Sequence, residues 1–356
     1  MRYLLLALLP IFGSAAASPD ALRVYHFGNS LTGVSMPAWH PALGASAGKT
    51  WTNHAWLGAG WQLWQHREEL AAGHDLFGAG PKGDLTLDAN LIQSANLHRT
   101  ALTEGTWDAV VLQLFAPAVS RTTDTAGGKK LGTPRDVGDL GAASDLIAFQ
   151  LRRNPASRVF LYQVWPQMDP GTVPPREQQP AWAQRMTNVR TAEFPNRASF
   201  DYEKRWLQPY DPNAQPSAGY THRTRDFSAQ VFSGLQQQFP ELVAQRRLRL
   251  VPAGDLFLAL DRRYRAGVDP GIADIREFYT DVQHIRAGLP RYAVAALLFA
   301  CLFETPPDRL DWSLYNNPAA YGPDPHHDSG ELLPLTASRV ALVHATIASL
   351  LSPPSR

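Results

Sequence analysis

The stretch Val24-Tyr25-His26-Phe27-Gly28-Asn29-Ser30-Leu31-Thr32 runs from apolar, strand-forming residues into a glycine turn and leaves a serine at its exit. A nucleophilic serine needs this order, because its hydroxyl must project from the carboxyl edge of a buried strand where a substrate can reach it. Gly28 admits a tight turn with positive φ open to it, and Asn29 either tolerates the left-handed region or caps the helix that follows. Taken alone, Gly-x-Ser is also what an ordinary strand-to-helix turn looks like. Much further along, Phe278-Tyr279-Thr280-Asp281-Val282-Gln283-His284-Ile285 supplies an Asp-x-x-His, and an apolar helical run from Arg291 to Phe303 follows it. An aspartate three positions before a histidine orients the ring locally, giving nucleophile, acid and base in the chain order Ser30, Asp281, His284.

Around these two blocks, short apolar β-rich runs alternate with helical patterns, the arrangement that predicts a parallel sheet covered on both faces. Strands are expected at Leu22 to Phe27, Trp51 to Trp56, Ala109 to Gln113, Arg158 to Val164 and Leu248 to Pro252. Helices are expected near Ala142 to Arg153, Phe227 to Arg247, Asp255 to Arg265, Arg291 to Phe303 and Leu335 to Leu351. This predicts a three-layer α/β/α sandwich with a five-stranded parallel sheet, flavodoxin-like, with its ligand site at the carboxyl ends of the strands. Two regions exceed a minimal version of it. Arg121 to Asp139 is polar and reads as a loop, and Pro166 to Thr224 holds nine prolines among aromatics such as Trp182, Phe200, Tyr202, Trp206 and Tyr210. A structureless loop of that length is improbable in a compact domain, so short helices folded over the active-site edge are expected there. Glu304 to Leu333 is again irregular. There is no internal repeat and no second core, which predicts one elaborated domain over 18–356.

Together the two blocks resemble the SGNH, or GDSL-type, serine hydrolase superfamily, whose first block is Gly-Asp-Ser and whose last is Asp-x-x-His. Here the first block reads Gly28-Asn29-Ser30-Leu31-Thr32, with Asn in place of Asp. That position shapes the turn and does not attack, so the resemblance survives the change. It implies an esterase or lipase without a cofactor, with Ser30, His284 and Asp281 as its triad. It further implies an oxyanion hole built from the Ser30 backbone N–H, a glycine N–H after the second strand, and an asparagine side chain in a Gly-x-Asn-Asp motif after the third strand. Gly60 or Gly58 would supply the second donor. The third motif is missing, for the third strand runs Val110-Val111-Leu112-Gln113-Leu114-Phe115. Gln113 offers the same amide chemistry on a longer arm, and a structural glutamine at the strand edge is the other reading.

Composition narrows the partners. The 356-residue chain carries a formal charge of +1 with 18% charged and 44% hydrophobic residues, so no basic field argues for nucleic acid or an anionic membrane. Met1-Arg2-Tyr3, the apolar run Leu4 to Phe12, and Gly13-Ser14-Ala15-Ala16-Ala17-Ser18 follow the pattern of a secretory signal cleaved after Ala17. A secreted or periplasmic protein is expected, without stable membrane insertion, since the apolar run falls short of the ~20 residues a spanning helix needs. Cys301 is the single cysteine, so no internal disulfide forms and the core must hold the fold.

Several rival motifs are weaker. Gly44-Ala45-Ser46-Ala47-Gly48 matches a Gly-x-Ser-x-Gly elbow without a preceding strand, and reads as a helix end and loop. Gly48-Lys49-Thr50 lacks the earlier glycine of a phosphate loop at the required spacing. Asp324-Pro325-His326-His327-Asp328 has metal-ligand residue types in a proline-flanked loop, best read as solvated, with no metal site predicted. Trp51, Trp56, Trp61 and Trp64 bracket the second strand and are either core or platforms for sugar rings. The leading function is removal of small acyl groups, such as acetyl, from a polar or glycan ester. A lipase, thioesterase or acyltransferase would share the machinery. A non-catalytic glycan-binding module and a metal-dependent hydrolase are the readings from other classes.

Overall fold

The computed structural model describes residues 18–58, 60–73, 102–115, 138–179, 184, 191–211, 223–321 and 332–352. The signal segment, the Asp324–Asp328 loop and most of 121–139, together with Trp182 and parts of 166–224, lie outside the described residues. Five strands form one parallel sheet: β1 (Ala21–Gly28), β2 (Thr50–Leu57), β3 (Ala109–Gln113), β4 (Arg158–Gln163) and β5 (Leu248–Pro252). Their spatial order is β2-β1-β3-β4-β5, with every neighbouring pair parallel. This is the doubly wound flavodoxin-like order, whose switch point lies between β1 and β3. Ser30 follows the end of β1 beside that crevice.

Alternation along each strand sends side chains to two separate cores. Val24, Val111, Phe160 and Tyr162 face one side, where they pack against α8 (Ala253–Arg265), α9 (Leu289–Phe303) and α10 (Ala337–Leu351). Tyr25, Phe27, Val110, Leu112 and Leu161 face the other, against α3 (Leu63–Ala71), α4 (Gly138–Arg153) and α6 (Arg225–Gln238). Because both faces are covered, the strands read as nearly unbroken apolar runs. Every residue of α9, Cys301 included, is buried, as an all-round apolar helix must be. Among the described residues no helix is long and apolar enough to cross a membrane.

The expected helices form, with differences at their edges. Gly138 and Asp139, read as loop, open α4. The single helix expected over Phe227 to Arg247 divides into α6 and α7 (Pro240–Ala244), because Pro240 starts a new helix at its first turn. The short helices α1 (Ser30–Gly33), α2 (His40–Ser46) and α5 (Tyr202–Trp206) complete the α-helices among the described residues. The described part of the 166–224 segment packs against α8 and against the loop that begins at Tyr279. Tyr202 donates its hydroxyl to Gly254 O at 2.8 Å, Trp206 Nε1 donates to Asp255, and Phe200 packs on Tyr279.

Candidate active site

The turn after β1 is built by hydrogen bonds. Asn29 is extended (φ −142°, ψ −156°), and its Oδ1 accepts from Leu31 N–H at 2.9 Å as the cap of α1. The left-handed alternative is not used, and Gly28 does not take positive φ. Gly28 is needed for closeness instead: a Cβ there would lie 2.2 Å from Thr32 Oγ1 and 2.8 Å from Gln113 Oε1. Thr32 and Gly33 N–H both donate to Asn29 O. This accounts for the N–H groups on either side of Ser30 and leaves that of Ser30 itself without an acceptor among the described residues.

The loop that carries Asp281 and His284 is equally constrained. Tyr279 and Ile285 form an antiparallel bridge, and Thr280 N–H donates to His284 O at 2.9 Å, which closes the loop. Inside it, Asp281 Oδ1 accepts from the Gln283 and His284 N–H groups, each at 2.7 Å. The other oxygen lies 2.6 Å from His284 Nδ1, and His284 Nε2 lies 2.8 Å from Ser30 Oγ. Residues 254 positions apart are thus brought into one hydrogen-bonded chain. Burial pushes the Asp281 carboxyl up, but the His284 ring and the two backbone N–H groups outweigh it and hold it below its ordinary value. The carboxylate therefore stays ionised beside the ring. A second tier secures the loop: Trp165 Nε1 donates to Gln283 O, Met168 N–H to Val282 O, and the Tyr279 hydroxyl to Pro166 O. Arg223, buried over the Phe115 ring, donates to the side chains of both Gln283 and Gln167.

The expected oxyanion donors divide. Gly58 N–H donates to Gly28 O at 3.0 Å, which removes it as the alternative. Gly60 takes positive φ (+64°), and a Cβ there would meet nothing within 4 Å. Gln113 does not have the geometry expected of a third donor. It is 1% exposed; its Oε1 accepts from Asn29 N–H (3.1 Å) and Thr32 Oγ1 (2.6 Å), and its Nε2 donates to Asn29 Oδ1 (2.9 Å). The amide is engaged inside the turn, because β3 runs directly beside β1 and ends level with it. Of the tryptophans, Trp51, Trp56 and Trp64 are core, whereas Trp61 is half-buried. Among the described residues no group of three or more His, Cys, Asp or Glu could hold a metal ion.

Sequence reading missed the groups that hold the turn from below. His66 Nε2 donates to Gly28 O at 3.1 Å, and Asn29 Nδ2 donates to Trp61 O at 2.8 Å. One histidine among eleven carries no local mark of such a role, and a backbone carbonyl carries none at all.

No protein-family model and no curated protein matches this chain. Among solved structures it is similar to a DUF4886 family protein from Bacteroides uniformis (14% identity, TM-score 0.46, covering 93% of this chain and 96% of that one). It is also similar to an acetyl xylan esterase (11%, TM-score 0.39, 79% and 100%). A third is a carbohydrate esterase family 3 protein from Talaromyces cellulolyticus (13%, TM-score 0.23, 63% and 99%). With these TM-scores below 0.5, the fold rests on the sheet order and strand-end geometry of the chain itself. The β2-β1-β3-β4-β5 parallel sheet, with Ser30 leaving β1 and an Asp-x-x-His loop returning to it, has the α/β/α arrangement that the SGNH/GDSL-type resemblance of the two sequence blocks implies.

Proposed function

We propose that the chain is an exported serine ester hydrolase that removes short acyl groups, acetyl foremost, from polar or carbohydrate alcohols. The observation that carries this reading is the unbroken chain Ser30 Oγ, His284, Asp281 at 2.8 and 2.6 Å. Ser30 Oγ attacks the ester carbonyl carbon while His284 Nε2 takes the hydroxyl proton, and Asp281 stabilises the imidazolium through Nδ1–H. The carbonyl oxygen becomes an oxyanion facing the N–H groups of Ser30 and Gly60. The C–O bond to the alcohol then breaks, and His284 returns the proton to the departing oxygen. Water repeats the sequence on the acyl-serine, its proton passing to His284 and on to Ser30 as the carboxylic acid leaves. The near-neutral charge and the half-buried indole of Trp61 in the Gly60 loop favour a polar, uncharged alcohol over an anionic one.

The test is hydrolysis of p-nitrophenyl acetate and octanoate by the wild type, Ser30→Ala and His284→Ala, with labelling by a fluorophosphonate. Acetate turnover well above octanoate, stoichiometric labelling of Ser30, and loss of both in each variant are expected. Unlabelled wild type that still binds glycan would replace the enzyme by a binding module. Chelator-sensitive turnover surviving Ser30→Ala would replace it by a metal-dependent hydrolase.

A further inference from the structure

Two side-chain amides pin the Ser30 turn to β3 and to the loop after β2. Asn29 is fully buried and uses every polar group it has: its N–H donates to Gln113 Oε1, its Oδ1 accepts from Gln113 Nε2 and Leu31 N–H, and its Nδ2 donates to Trp61 O. Gln113 answers with the matching pair and also accepts from Thr32. Three segments far apart in sequence meet here: the exit of β1, the end of β3, and the loop after β2 that contains Gly60. A carboxylate could not take the place of the Asn29 amide, since one of its oxygens would face the Trp61 carbonyl at 2.8 Å with no hydrogen between them.

We propose that Asn29 and Gln113 form a positioning clamp: a reciprocal amide pair that sets the Ser30 turn against the Gly60 loop, so that the oxyanion is held by backbone N–H groups and Gln113 acts through the turn without touching the substrate. The inference rests on the esterase reading and adds to it. It explains why Asn, and not Asp, precedes the serine in a chain that lacks the Gly-x-Asn-Asp asparagine. The two departures from the family pattern are one device.

The experiment is a double-mutant cycle with Asn29→Ala, Gln113→Met and the pair, measured as kcat and KM for p-nitrophenyl acetate per Ser30 titrated with a fluorophosphonate. Normalising to titrated serine removes any loss of folded protein, and Met preserves the buried volume. Each single variant is expected to lose about 30-fold in kcat with KM within about threefold, the scale of a mispositioned reacting group. The double variant is expected to fall no more than about threefold further, because both changes release the same clamp. Asn29→Asp, although it restores the family's Gly-Asp-Ser, is expected to match Asn29→Ala. A Gln113 that donates directly to the oxyanion predicts losses that multiply to about 1,000-fold, and an Asn29→Asp that retains wild-type kcat; either result overturns the clamp. If wild-type Ser30 takes no label, the esterase reading falls and the clamp's catalytic role with it, whereas labelled enzyme with multiplying losses refutes the clamp alone.

Discussion

Replacing Asp281 by Asn tests the proposed role of the Asp281–His284 loop most sharply, because the geometry dictates which way the new amide must lie. Asp281 Oδ1 accepts two backbone N–H groups at 2.7 Å, and Oδ2 faces His284 Nδ1 at 2.6 Å. In the Asn variant, an amide nitrogen beside the backbone pair would set a donor against two donors, so the oxygen stays there and the NH2 faces Nδ1. That NH2 donates to the ring, which forces Nδ1 to accept and places the imidazole proton on Nε2. Nε2–H then points at Ser30 Oγ and cannot take its proton. The expected loss is about 10,000-fold in kcat, near 5.5 kcal/mol of barrier, as wrong-tautomer triads show. Stability should hardly change, since the two loop-closing hydrogen bonds persist. Asp281→Ala should lose as much activity and also about 3 kcal/mol of stability, because the two N–H groups lose their acceptor. Steady-state kinetics on p-nitrophenyl acetate and urea unfolding of both variants separate the effects. An Asn variant within tenfold of wild-type kcat would show that His284 is not the base that the tautomer argument requires.

Two further perturbations address the turn and the histidines beneath it. Gly28→Ala forces a Cβ to within 2.2 Å of Thr32 Oγ1 and 2.8 Å of Gln113 Oε1. It should cost about 2 kcal/mol of stability and about 100-fold in kcat, by urea unfolding and ester hydrolysis; kcat within threefold of wild type would contradict the close packing. Burial lowers His26 to about 4 and His66 to about 3, against 6.5 for an exposed ring. Both therefore fold neutral, while the unfolded chain binds their protons first as the pH falls. Their contribution is fully present above pH 6.5 and is lost progressively down to about pH 4 for His26 and about pH 3 for His66. At pH 5 the two together should remove roughly 4 kcal/mol. Urea midpoints between pH 7 and 5 read this directly, and His66→Gln should flatten the slope; an unchanged midpoint would refute the buried, neutral state.

What could be read in the chain, and what could not, follows from how far each signal travels. The strands announced themselves because a parallel sheet buried on both faces demands continuous apolar runs, and Val110-Val111-Leu112 or Phe160-Leu161-Tyr162 fit nothing else as well. The helix α3 escaped because Gln62 to Glu69 is mostly polar; it is held by Leu63 and Trp64 and by the reciprocal cap of Gln62 with Gln65. The juxtaposition of Ser30, Asp281 and His284 was legible because each carries a local signature, a strand-exit serine or a three-residue spacing.

Gln113 carries no such local signature. Its residue type suggested an amide donor, but whether an amide at the end of β3 points toward the crevice or into the turn depends on what β1 presents alongside it. That partner, Asn29, lies 84 positions away, and its residue type alone reads only as a tolerable replacement for Asp. Each residue read by itself looks like a weakened family motif. Read as a pair across adjacent parallel strands, they form complementary donors and acceptors, and neither departure can be understood, or reversed by mutation, without the other. The Asn29→Asp variant makes that dependence measurable, because it improves the motif while removing the one hydrogen that the Trp61 carbonyl accepts from the Asn29 amide.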